Sequence, residues 1–129
     1  MISVLTRRAD FLAANAGLRN AKAGFVLLTR PNDGQGMRYG ITVTKKIGNA
    51  VVRNRMKRRF RELLRAALPV HGLADHDHVL IGRAGGVERD FHLMAGELEK
   101  ALERARSGRG DPAGGRRPRR GDRQGSRKL

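Results

Sequence analysis

The chain has 129 residues, enough for one small domain and too few for a second hydrophobic core. Its 28 Lys and Arg against 12 Asp and Glu give a formal charge of +16, which points to a polyanionic partner. With no cysteine, a disulfide framework, a thiolate zinc site and a cysteine nucleophile are excluded.

Residues 1 to 7 read as an extended arm without a secretory apolar region, and no apolar run approaches the roughly 18 residues that span a bilayer. The basic residues lack the Trp- and Phe-rich face of an interfacial anchor, so a cytoplasmic protein with no membrane partner is expected. Arg8 to Ala16 has helix-forming composition, with Gly17 placed to stop it; Phe11 and Leu12 are its bulky apolar groups. Lys22 to Arg30 (KAGFVLLTR) reads as a strand closed by the turn cluster Pro31-Asn32-Asp33-Gly34. Arg38 to Thr44 alternates as a second strand. Tyr39, Ile41 and Val43 point one way; Arg38, Gly40, Thr42 and Thr44 form a small, polar, accessible face that leads into Lys45 and Lys46.

The stretch Lys45 to Arg65 (KKIGNAVVRNRMKRRFRELLR) dominates the chain, with nine Lys or Arg against one acid, Glu62. Gly48-Asn49 makes a turn, Asn49 is placed as an N-cap, and the helix begins at Ala50. At about 100° per residue, Val52, Met56, Phe60, Leu63, Leu64 and Ala67 share one arc, the predicted core face. Arg55, Lys57, Arg58, Arg59, Arg61 and Arg65 cover the remainder. A solvated helix face usually mixes signs at four-residue spacing. This one repeats cations at Arg53/Lys57/Arg61/Arg65 and at Arg55/Arg59, each pair costing a few tenths of a kcal/mol. Cations in the first turn also oppose the helix dipole. Nucleic-acid phosphates would offset both costs.

Leu68-Pro69 is expected to end this helix, and His71 to Asp77 to form a polar connection. Asp77 to Arg83 (DHVLIGR) is a third apolar strand, followed by an Ala84-Gly85-Gly86 turn. Residues 91 to 105 form an amphipathic helix with Leu98 and Leu102 on one face. Beyond Arg106 the composition turns to Gly, Pro and Arg, with eight basic and two acidic residues. A domain over 1–106 and a disordered basic tail over 107–129 are therefore expected.

His71, His76, His78 and His92, with Asp75 and Asp77, lack the spacing of a zinc site. There is no Ser-His-Asp arrangement, Walker loop or nucleotide-binding glycine fingerprint, and carboxylates are sparse. No catalytic residue and no protein-held metal are expected. Five aromatic residues and no Trp suit a binder that holds phosphates rather than one that stacks many bases. Duplex DNA is not the expected partner, because Met56, Phe60 and Leu63 tie the basic helix to a core and no preceding helix supports a helix-turn-helix.

The run KKIGNAVVRNRMKRRFRE resembles the signature segment of the bacterial ribonuclease P protein component, with Arg53-Asn54-Arg55 matching its RNR motif. LTRRADF, GFVLL, YGITVTKK and DHVLIGR extend the likeness, in the right order, over about residues 4 to 105. The resemblance implies an α+β fold, a single two-layer α/β sandwich in the order α-β-β-β-α-β-α with a left-handed crossover. That is one strand more than the three read directly, and residues 18 to 30 are where it would lie. It implies a protein subunit of the endonuclease that removes 5′ leaders from precursor tRNA, the chemistry and the Mg2+ residing in a catalytic RNA. On this chain Lys45, Lys46, Arg53, Arg55, Lys57, Arg58 and Arg61 would contact phosphates of the RNA subunit, with Asn54 holding the loop geometry. Phe11, Val26, Leu28, Thr42 and Thr44 would line a cleft for the leader, with Arg30 and Arg38 at its edge. Asn15 stands where relatives often carry a second aromatic and Leu28 where they carry a tyrosine, which leaves Phe11 as the main stacking platform. The competing expectation is a ribosomal or RNA-chaperone-type structural protein.

Overall fold

The structure is a computed structural model that describes residues 2–112. In chain order it contains β1 (Ile2–Val4), α1 (Arg8–Ala14), β2 (Leu18–Ala21), β3 (Phe25–Pro31) and β4 (Met37–Thr42). A 3-10 turn over Lys45–Ile47, α2 (Ala50–His71), β5 (His76–Gly82), a second 3-10 turn over Ala84–Gly86 and α3 (Phe91–Arg106) complete it.

The strands form one mixed sheet in the order β1-β4-β5-β3-β2. β4 and β5 are parallel neighbours, so α2 is the crossover between them; β2, β3 and β5 pair antiparallel. The strand missing from the direct reading is β2. Its sequence, Leu-Arg-Asn-Ala, has too few apolar residues to show a period, and its identity comes from pairing Leu18–Ala21 with Val26–Thr29. The N-terminal arm is also recruited. Ile2–Val4 runs parallel to Met37–Tyr39, and the Leu5 N–H donates to the Tyr39 carbonyl at 2.7 Å.

Strand alternation builds two cores. Phe25, Leu27 and Leu80 face α2 and α3, where they meet Met56, Phe60, Leu63, Leu64, Leu68, Met94, Leu98 and Leu102, all at most 1% exposed. The Phe25 and Phe60 rings meet edge to face with centroids 6.2 Å apart. Val26, Leu28 and Val79 point to the opposite face, where they form a second, smaller buried cluster with Leu5 and Ala14, and Phe11 packs against it. The fold is thus a helix pair on a sheet, with the short α1 leaning on the far side.

Two expectations about α2 change. The helix continues through Pro69 to His71. A proline this near the end removes only the bond its N–H would have donated one turn back, and buried Leu68 holds the last turn on the core. Val52 is half-buried against Gly48 rather than in the core, while Leu68 takes the place at the other end of the stripe. The cap is as expected: the Asn49 side chain accepts from the Val52 N–H at 3.0 Å.

Candidate nucleic-acid interface

α1 crosses the sheet without closing on it, leaving a cleft of about 550 Å³ lined by Phe11, Leu12, Asn15, Leu28, Thr42 and Lys57, with Arg8 at its rim. Gly40 permits this geometry. A Cβ there would fall 2.5 Å from the Phe11 ring, so only glycine lets the ring lie over β4. The cleft has an apolar floor from Leu28, Val79 and Ile81, an aromatic wall, and cations but no carboxylate among its lining residues. Bases can stack on such a floor while phosphates meet Arg8 and Lys57.

Of the residues expected to line it, Phe11, Leu28 and Thr42 do so. Val26 is buried beneath α1, and Thr44 is exposed past the end of β4. Arg30 and Arg38 lie toward the other end of the strands, where Arg38 is paired directly with Asp77 in the parallel ladder. The Asp77 carboxylate, fully buried, accepts from Arg38 Nε at 2.7 Å, from Arg38 Nη2 at 2.9 Å and from Asn32 Nδ2 at 2.8 Å, with Arg30 Nη1 3.7 Å away. Burial alone would raise this carboxyl group. The hydrogen bonds from Arg38 and Asn32 and the two guanidinium charges outweigh it and hold Asp77 below the usual carboxylate range. Arg38 also reaches Asp10 of α1 at 3.7 Å, so this side chain positions the cleft's helix.

Beside Asp77, His78 is buried between two backbone groups. Its Nε2 accepts from the Leu73 N–H at 3.1 Å, and its Nδ1 donates to the Arg38 carbonyl at 3.0 Å. Burial pushes its pKa down against the raising effect of the Arg38 carbonyl.

The α2 cations divide into three sets. On one flank Arg59 donates to the Val87 carbonyl at 2.8 Å and to the Arg89 carbonyl, and Arg55 pairs with Glu88 at 3.2 Å. Arg59 is therefore a clamp on the connection to α3. On the other flank Lys57 lines the cleft, and Arg53 Nε donates to the Gly48 carbonyl at 3.2 Å, holding the turn that precedes the helix. Between them Asn54, Arg58, Arg61 and Arg65 face solvent, and Lys45 and Lys46 are exposed on the turn before the helix. The sequence suggested neither the clamp nor the Asp77 network, since their partners are 28 to 47 residues apart.

A basic α+β domain with an open cleft beside a cation-bearing helix defines a nucleic-acid-binding protein. The family model for Ribonuclease P matches residues 3–106, and the chain belongs to the ribonuclease P protein family. It is 73% identical over 110 residues to the ribonuclease P protein component of Erythrobacter litoralis, covering 85% of this chain and 91% of that one. With the Ruegeria pomeroyi protein component it shares 42% over 107 residues, 80% of this chain and 86% of the relative. Among solved structures, the Staphylococcus aureus RNase P protein superposes with a TM-score of 0.67 at 32% identity, covering 79% of this chain and 94% of that one. The Thermotoga maritima RNase P protein gives 0.68 at 32%, covering 78% and 94%. The chain is accordingly a subunit of the endoribonuclease that matures tRNA 5′ ends, and the ribosomal or chaperone reading is not favoured. Among the described residues no helix is long and apolar enough to cross a membrane.

Proposed function

We propose that this subunit holds the catalytic RNA with the exposed face of α2 and its preceding turn, and the single-stranded leader of precursor tRNA in the α1–sheet cleft. The observation that carries the reading is Lys57, which belongs to the basic helix and also lines the cleft, so that both ligands would meet on one continuous surface. Lys45, Lys46, Arg58 and Arg61 would meet RNA phosphates directly, while Arg53 and Asn54 shape the start of the helix. Phe11 would stack a leader base, with Leu28 and Thr42 beneath it. Asn15, on the α1 wall, offers an amide in place of a second ring.

The carboxylates do not suit Mg2+. Among the described residues no group of three or more possible ligands comes together, and Asp77 is already saturated by Arg38, Arg30 and Asn32. We therefore assign the metal to RNA phosphates, and the site of action to the cytoplasm, where precursor tRNA is made.

Precursor-tRNA cleavage at low Mg2+ tests this, with a bacterial catalytic RNA alone, the protein alone, and both. Cleavage at the mature 5′ end should require the RNA and be stimulated by the protein. Folded protein that stimulates none of several bacterial RNAs across a range of salt would contradict the proposal.

A further inference from the structure

The expected basic tail lies, from residue 113 on, outside the described residues, and among those described α1 is the most lightly held helix. It has seven residues, fewer than an isolated helix needs, so its place on the sheet depends on tertiary contacts. Ala14 is its one buried residue, against five each in α2 and α3, and Leu12 is 54% exposed. Arg7, at the N-cap, makes no capping hydrogen bond through its side chain.

Contacts of different kinds fix its two ends. At the C-terminal end Ala14 is buried in the cluster of Leu28 and Val79, and Gly17 brings the backbone so close to β3 that a Cβ there would collide with the Thr29 carbonyl. Between the ends the Phe11 ring rests on Gly40, a seat with no side chain to hold it. Near the N-terminal end the hold is electrostatic. Asp10 Oδ1 lies 3.7 Å from Arg38 Nη2, with the two side chains only 19% and 16% exposed. That distance is too long for a hydrogen bond, so the contact acts through charge. Arg7 stands 4.0 Å from the other carboxylate oxygen but is 78% exposed, and adds little.

Arg38 is a rigid anchor for this pair. Asp77 accepts from its Nε and Nη2, Gln35 Oε1 accepts from its Nη1 at 3.3 Å, and Gln35 is itself bonded to Asn32 in the turn between β3 and β4. Asp10 is not among the residues lining the cleft, whereas Arg8 and Phe11 on the same turn of α1 are. A helix seated at one end and held by one charge pair near the other is a lever, and it carries the cleft's aromatic wall.

We infer that Asp10 is a positioning residue: its charge, acting on Arg38, sets how the first turn of α1 stands on the sheet and so places the Phe11 ring for the single-stranded leader. The inference rests on the leader-cleft reading and adds to it a residue that acts without touching the leader. It also separates two carboxylates that share one arginine. Without Asp77, Arg38 keeps Asp10; without Asp10, the buried network keeps Arg38 and α1 alone is loosened.

Asp10→Asn, and independently Asp10→Ser, remove the charge, while Asp10→Glu keeps it. Each is assembled with a bacterial ribonuclease P RNA, and binding of precursor and mature tRNA is measured. The uncharged variants should bind precursor tRNA about fivefold more weakly with mature tRNA within about twofold of the parent, and Asp10→Glu should restore most of the loss. Because the chain has no cysteine, spin labels at Ala9→Cys on α1 and Gly96→Cys on α3, both exposed positions, report the placement of α1 directly. The distance distribution between them should broaden in the uncharged variants and narrow again in Asp10→Glu, with circular dichroism native throughout. An unchanged distribution, an unchanged affinity for precursor tRNA, a loss shared equally by mature tRNA, or an Asp10→Glu chain that behaves like Asp10→Asn would each overturn the inference. If the parent holoenzyme bound precursor and mature tRNA equally well, the leader-cleft reading itself would fail.

Discussion

The two ends of the sheet carry similar arginines in opposite circumstances. Where β4 and β5 start, Arg38 and Arg30 converge on the buried Asp77 carboxylate and tie β3, β4, β5 and α1 together. Where the same strands finish, Lys45, Lys46 and the first turns of α2 present cations of which, among the described residues, Arg55 alone is paired with a carboxylate, the exposed Glu88. A buried partner turns a cation into a structural pin, and its absence leaves the charge available to phosphate. Net charge alone cannot separate these roles.

The largest break in this comparison comes from Asp77→Ala, which strands two guanidinium groups and the Asn32 amide in a buried site. It should cost about 3 to 5 kcal/mol of stability, read by urea unfolding, with the RNA affinity of the folded fraction within about twofold of the parent. A loss below about 1 kcal/mol would mean that Asp77 is not the pin described.

At the cleft, Phe11→Leu should weaken precursor-tRNA binding to the holoenzyme by about 1 kcal/mol while leaving mature tRNA unaffected. Equal loss with both would place Phe11 outside the leader path.

The pinned end should also respond to acid. His78 titrates below its ordinary value of 6.5 in the fold, so the unfolded chain takes up the proton first. Stability should be flat above about pH 6.5 and fall as the pH drops below it, with Asp77 adding to the loss only below its ordinary 3.8. Urea midpoints at pH 8, 6 and 5 that do not decline would contradict this.

The smallest effect belongs to Glu88→Ala. The Arg55–Glu88 pair is exposed on both sides, so stability should change by no more than a few tenths of a kcal/mol. RNA affinity, measured by filter binding, should rise slightly as Arg55 loses its competitor; a decrease would assign Glu88 a positive role.

The features legible in the sequence were those written locally. Asn49 three residues before Val52, and Met56, Phe60, Leu63 and Leu64 at helical spacing, specify a capped amphipathic helix without reference to the rest of the chain. The contiguous basic run and its likeness to a known signature carried the family in the same way. The elements that escaped lacked a local signal. β1 has three residues and β2 four, too short for a period, and both exist because a neighbour offers an edge. Arg38 read as an accessible strand residue because its partner lies 39 residues away. Residues 107–112 read as tail because Asp111 finds Arg19 only once the sheet is built.

The most direct test of the distinction between pinned and free cations is the salt dependence of catalytic-RNA binding for Arg58→Ala and Arg30→Ala, measured side by side. Arg58→Ala should weaken binding by about 1 to 3 kcal/mol and make the slope of log K against log salt shallower by about one unit, whereas Arg30→Ala should leave the slope unchanged. An equal flattening by both variants would show that engagement with Asp77 does not withhold an arginine from RNA, and would contradict the account.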